Sequence, residues 1–300
     1  MAVDWADLVD PTREELLTAL PSFVDPEDIE ILAAPPAARG RETRPLVESH
    51  GAYAIAIFLL PRAYPEDDRV EYLELDVVAT PRRIVTVRKT GPDGALAQVD
   101  AIETRLGEAA GAGELVHALS DEVADSFLDL LDALYGEIDE LEGHVDELAG
   151  TVVRRRLAEL RHELLQARRT ASATRAMMRR VIDGRVDVGG ELFPPDVERR
   201  FVDTYETLVR VAEELDVARD LLASVRDYLQ AKITETQNDV GKKLTVIASL
   251  VLVPSFIVGF YGQNFEGVFH RTYWTLGFSV GSIVVVTLVQ LALFRWRRWI

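Results

Sequence analysis

Nine residues in the last third of the chain recur at alternating spacings of four and three: Thr234, Asn238, Gly241, Thr245, Ala248, Leu252, Ser255, Gly259 and Gly262. On a helix that spacing lines a single face. Eight of the nine are small or polar, and opposite them lie Val246, Leu250, Val253 and Ile257, which suit lipid or a neighbouring helix. The chemistry such a face serves is the passage of a hydrated ion: bulk would plug the path, fixed charge would trap the ion, and hydroxyl and amide oxygens can meet its water. Leu252 is the bulky exception, and several copies of it around one axis would close the path by dewetting. The same small residues also suit close helix packing. Because two helices cannot enclose a channel, the ion-path reading requires an oligomer.

Other chemistries find little support. The chain has no cysteine, which removes disulfides, thiolate nucleophiles and thiolate metal sites. His50, His117, His144, His162 and His270 are scattered without metal-ligand spacing, no Ser or Cys nucleophile motif is present, and no glycine loop opens a helix to cradle phosphate. An enzyme is therefore not expected. The formal charge of −17 disfavours nucleic acid, whose phosphates need a basic face, and suits attraction of cations or simple solubility.

The elements that would carry the stripe are two uncharged stretches, eighteen residues from Leu244 to Tyr261 and twenty-one from Trp274 to Phe294. Each is long enough to cross a hydrocarbon layer of about 30 Å at about 1.5 Å per residue. Lys242 and Lys243 precede the first, and Arg295, Arg297 and Arg298 follow the second, whereas the loop between them has Arg271 as its only full positive charge. The positive-inside rule then predicts an integral protein of the cell (inner) membrane with both termini cytoplasmic. Tyr261, Trp274, Trp296 and Trp299 stand at the span ends, where aromatic rings prefer the headgroups. The acidic N-terminus has no basic-then-apolar segment, so no secretory signal is expected there.

Upstream, residues 1–114 alternate apolar runs with turn formers and predict a cytoplasmic domain mixing strands with short helices. The strand candidates are Ile29 to Ala33, Tyr53 to Leu60, Val70 to Ala79 and Ile84 to Arg88. Over 115–195 the period becomes helical, with Leu128, Leu131, Leu134, Ile138, Leu141, Val145 and Leu148 three or four apart. Residues 121–147 hold eleven Asp or Glu and no Lys or Arg, whereas 154–180 hold nine Arg against two Glu, so antiparallel packing would let the halves neutralise each other. Five Gly and Pro between Gly184 and Pro195 break the pattern. Past them a stalk helix over 196–243 runs on into the first span, 244–262, followed by a loop over 263–273, a second span over 274–294 and a basic tail over 295–300.

The segment NDVGKKLTVIASLVLVPSFIVGFYGQNFE resembles the CorA family of magnesium transporters. The Tyr-Gly-x-Asn-Phe block ending the first span, the second span close behind and the short basic tail with Trp all follow the family order, and RFVDTYE and RDYLQ extend the likeness along the stalk. The N-terminal residues match in general layout only. The resemblance implies an α+β cytoplasmic domain, a long stalk helix and two C-terminal transmembrane helices, assembled as a funnel-shaped homopentamer in membrane lipid that conducts divalent cations, Mg²⁺ first, without an organic cofactor. By the same resemblance, Gly262 and Asn264 fall on the family's Gly-Met-Asn signature, and a ring of Asn264 amides would hydrogen-bond the water shell of an ion that dehydrates reluctantly. Asn238 falls on a polar ring at the inner end, Leu244 and Leu252 on gate positions, and Lys242, Lys243 and the C-terminal arginines on a basic collar. Asp203 falls on a carboxylate position that implies regulatory metal between subunits, and Asp227 on an acidic pore position that is a second candidate for that metal. Gln263 departs from the signature's methionine. It leaves open Zn²⁺, Co²⁺ or Ni²⁺ transport, as in divergent relatives of the ZntB type, or a membrane-anchored regulatory protein that does not conduct.

Overall fold

The structure is a computed structural model that describes residues 3–36, 44–99, 102, 111–145, 150–186, 188–189, 192–262 and 272–299. The chain divides into two compact units, Met1–Arg226 and Asp227–Ile300.

The first unit is built on five strands: β1 (Asp4–Val9), β2 (Leu46–Ser49), β3 (Ala54–Tyr64), β4 (Arg69–Ala79) and β5 (Arg83–Arg88), in the order β1-β5-β4-β3-β2. All neighbours are antiparallel except β1 and β5. Every residue of β3 from Ala54 to Pro61 is buried, as expected of a central strand covered on both faces. One face is covered by α1 (Arg13–Ala19) and α2 (Pro26–Ala33), whose Leu16, Leu20, Ile29 and Leu32 pack with Tyr53, Ile55, Val78, Val85 and Val87. The other is covered by α3 (Ala112–His144) on β3 and β4, and by α4 (Gly150–Ile182) on β2 and β3. The buried row of α3, from Leu119 through Val123, Phe127, Leu130 and Leu134 to Ile138, keeps the helical period read in the sequence.

Three of the four expected strands are present, and the fourth is corrected. Ile29 to Ala33 lies in α2, because Asp25 caps the helix by accepting from the Glu27 amide and Pro26 fixes the first turn. Ile29 and Leu32, three apart, then face the sheet together. Strands β1 and β2 are additions, short and at the sheet edges. No residue of β1 is fully buried, and with Ala6 and Leu8 packed on the core its apolar content is too sparse to announce a strand.

The two oppositely charged helices do not simply cancel along their length. Buried Arg156 of α4 binds Glu137 of α3 and stands 3.4 Å from Glu163 of its own helix, while donating to the Asp68 carbonyl at 3.0 Å. Arg155 pairs within α4 to Glu159, and Arg168 turns to Asp216 of the next helix. Exposed pairs of this kind contribute little, about 0–1 kcal/mol each.

That next helix, α5, runs unbroken from Pro195 to Gly262, 68 residues. Its first part buries Phe201, Leu208, Val211, Leu215, Ala218, Leu222 and Val225 in the first unit. Its last part, with α6 (Thr272–Trp296), makes the second unit.

Candidate functional site

The site is the apolar end of α5. Both α5 and α6 contain stretches long and apolar enough to cross a membrane, and only 6% of the most apolar window of each is buried. A soluble core helix would be covered; these need a solvent of low polarity. Val246 is buried, Leu250, Val253 and Ile257 are half-buried, and the Gln290 amide of α6 donates to the Ser249 carbonyl at 3.3 Å. This is therefore the side of α5 turned to α6. An amide reaching a backbone carbonyl between apolar helices is worth about 0.6–2 kcal/mol. It was not singled out in the sequence, where its signal is one amide, Gln290, within an otherwise uncharged apolar run.

The other side carries the stripe. Thr234, Asn238, Gly241, Thr245, Leu252, Ser255, Gly259 and Gly262 are exposed, and Ala248 is half-buried. Leu244 and Leu252 stand out at 66% and 65% exposure. Three hydroxyls of the stripe share one arrangement: Thr234 donates to the Gln230 carbonyl at 2.9 Å, Thr245 to Gly241 at 2.9 Å and Ser255 to Val251 at 2.7 Å. Each hydroxyl spends its hydrogen on its own helix and keeps lone pairs to accept. Such a face offers acceptors and no free hydroxyl hydrogen, the polarity that suits the outward-pointing hydrogens of water held by a cation. Glycines 241, 259 and 262 have nothing within 4 Å of where a Cβ would stand, so their smallness is not imposed by packing inside one chain.

The remaining expected residues are placed as follows. Lys242 and Lys243 are exposed just before the apolar stretch, with Lys242 bound to Asp239 at 2.9 Å; Arg295, Arg297 and Arg298 are exposed at the C-terminal end of α6 and just after it. Asp203 and Asp227 are exposed on α5. Among the described residues no three His, Cys, Asp or Glu side chains converge to hold a metal within one chain. Gln263 and Asn264 lie outside the described residues; Gly262 is the last residue of α5.

The family profile described as CorA-like Mg²⁺ transporter protein matches residues 2–298. The chain belongs to this family. It is an integral membrane protein with the family's architecture: an α+β N-terminal domain, a long helix and two apolar C-terminal helices. A curated relative, the cobalt/magnesium transport protein CorA of Thermotoga maritima, is 28% identical over 195 residues, which are 63% of this chain and 53% of that protein. The matched stretch is thus about half of that relative's length. The fold is that of the CorA magnesium transporter from Methanocaldococcus jannaschii, with a TM-score of 0.79 at 21% identity over 99% of this chain and 91% of that one. The full-length CmaX protein is similar at a TM-score of 0.67 and 21% identity, over 98% and 88%.

Proposed function

We propose that the chain conducts divalent metal cations across the membrane, Mg²⁺ foremost, through a homopentamer whose axis is lined by the stripe of α5. The observation that carries this reading is the exposed row of small and hydroxyl-bearing residues, its hydroxyl hydrogens committed to the helix, on a segment otherwise built for lipid. Thr245, Ala248, Ser255 and Gly259 line the path, with Asn238 and Gly241 at its inner end. Leu244 and Leu252 close it by dewetting. Gly262, Gln263 and Asn264 form the outer mouth, where amide oxygens meet an ion that keeps its water. Lys242, Lys243 and the arginines of the tail collar the cytoplasmic neck, both termini being cytoplasmic in the cell (inner) membrane. Asp203 and Asp227 bind regulatory cation between subunits and hold the assembly closed while it is abundant.

Gln263 favours a second reading in which Zn²⁺, Co²⁺ or Ni²⁺ is the preferred ion, since an added ring of amides at the mouth alters the hydration an entering ion must have. Flux of Mg²⁺, Co²⁺, Ni²⁺ and Zn²⁺ into liposomes holding the purified chain separates the two. Selective Mg²⁺ entry, reduced at least about tenfold by Asn264→Ala and made leaky by Leu252→Ala, is the expected result. Preference for Zn²⁺ establishes the second reading, and a correctly assembled oligomer that passes no ion excludes both.

A further inference from the structure

The charges of α3 and α4 are only partly used within the chain. On α4, Arg155 pairs with Glu159 and Arg179 with Asp183, Arg156 reaches Glu137 of α3, and Arg168 reaches Asp216 of α5. Arg154, Arg161, Arg169 and Arg180 are exposed and have no ion-pair partner among the described residues. They fall on the side of α4 opposite its buried row of Val153, Leu160, Leu164, Ala167 and Ala171. On α3, Asp129, Asp132, Asp139 and Glu140 are likewise exposed and without an ion-pair partner among the described residues. They lie opposite the buried Phe127, Leu130, Leu134, Ile138 and Leu141.

The two rows match in sign and reach. At about 1.5 Å per residue, Arg154 to Arg169 covers about 22 Å and Asp129 to Glu140 about 17 Å. Within one chain they do not meet, because each lies on the outward side of its own helix. In a chain of formal charge −17, a face of unneutralised arginines runs against the composition as a whole. Every other copy of the chain carries the acidic complement, so no foreign partner is needed. Exposed pairs add little affinity one by one. What complementary rows supply is orientation and register, and rejection of arrangements in which like charges would face each other.

We propose that the arginine row of α4 on one copy docks against the acidic row of α3 on the next, and so sets the register in which copies assemble. The docking presupposes the oligomer proposed for conduction. Conduction does not presuppose the docking, since the apolar spans can hold copies together without it.

The test uses the full chain in detergent, with association followed by light scattering over a dilution series at low and at high salt. Two variants reverse one row each: Arg161→Glu with Arg169→Glu, and Asp129→Lys with Asp132→Lys. All four positions are exposed, so thermal unfolding of both variants should match the wild type. At low salt, each variant alone should fall toward the single chain's 33.4 kDa at a concentration at least about tenfold higher than the wild type does. Co-expressed, the two variants again present opposite charges to each other, and association should return toward the wild-type value, which a contact inside one chain could not give. Salt should weaken the wild type and strengthen either variant alone, because it screens attraction in the one and repulsion in the other. Reversals that leave the mass of an oligomeric wild type unchanged overturn the docking alone. A wild type that is a single chain at every concentration overturns the oligomer as well. Unchanged mass with loss of retention on heparin in the arginine variant gives the row to an anionic partner of another kind, and also overturns the docking. Should a variant not fold, the wild type decides: association weakened by salt supports the docking, and association insensitive to salt overturns it.

Discussion

Arg156 is held at the meeting of α4, α3 and the turn between β3 and β4, where Glu137, Glu163 and the Asp68 carbonyl use its guanidinium. Burial raises both glutamates above the usual carboxylate range, and Arg156 opposes the rise. Arg156→Ala strands two carboxylates, and the expected loss is about 3–5 kcal/mol near neutral pH, read from chemical unfolding of the full chain in detergent. The sign with pH follows. Without the arginine the two folded-state values climb further above their unfolded ones, so the variant should recover part of its deficit as pH falls and they take up protons. Arg156 was legible in principle: with Val153, Leu157, Leu160 and Leu164 it falls on the inward row of α4, and an arginine there must be paired. Among nine arginines in one helix that single position did not stand out. Asp76 was hidden differently, inside an apolar run that marks a strand but not which charge within it is buried.

Elements were read best where they are long. The rows of α3 and α5 and the two apolar stretches survive local noise because many residues vote, whereas α2 is eight residues and its capping by Asp25 and Pro26 outweighs the strand character of Ile29 to Ala33. Two glycines of α3 separate packing from propensity. A Cβ at Gly113 would stand 2.1 Å from the Leu192 carbonyl oxygen, which belongs to backbone and cannot swing aside. Gly136 is exposed in mid-helix with nothing within 4 Å. Gly113→Ala is therefore expected to cost about 1–3 kcal/mol, and Gly136→Ala to add about 0.5–1 kcal/mol, both read from thermal unfolding. Equal effects of one sign would mean that the approach of residue 192 to α3 is not what holds this corner.

For the whole molecule, the layout of an α+β domain, a long helix and two apolar spans was legible because each part has its own hydropathy signature. The proposed number of subunits and the proposed outer mouth were not. Gly262, Gln263 and Asn264 carry meaning through family likeness, since no periodicity picks an amide at a span end as an ion contact. In α5 ahead of its apolar stretch, Val217, Leu221 and Tyr228 lie on one helix face at 50%, 40% and 50% exposure, an apolar row open to a further contact. If copies meet along this face, Leu221→Glu should shift the particle from oligomer toward monomer, measured as mass by light scattering in detergent. An unchanged mass would place the contacts between subunits elsewhere.

Within its apolar stretch α5 contains Pro254. Proline has no amide hydrogen, so the Leu250 carbonyl one turn earlier loses its partner in the helical ladder. A rod with one missing rung yields there before it yields elsewhere. The first span thereby has a fixed place at which to bend when the surrounding bilayer is thicker or thinner than its hydrophobic length, and the turns on either side can stay straight.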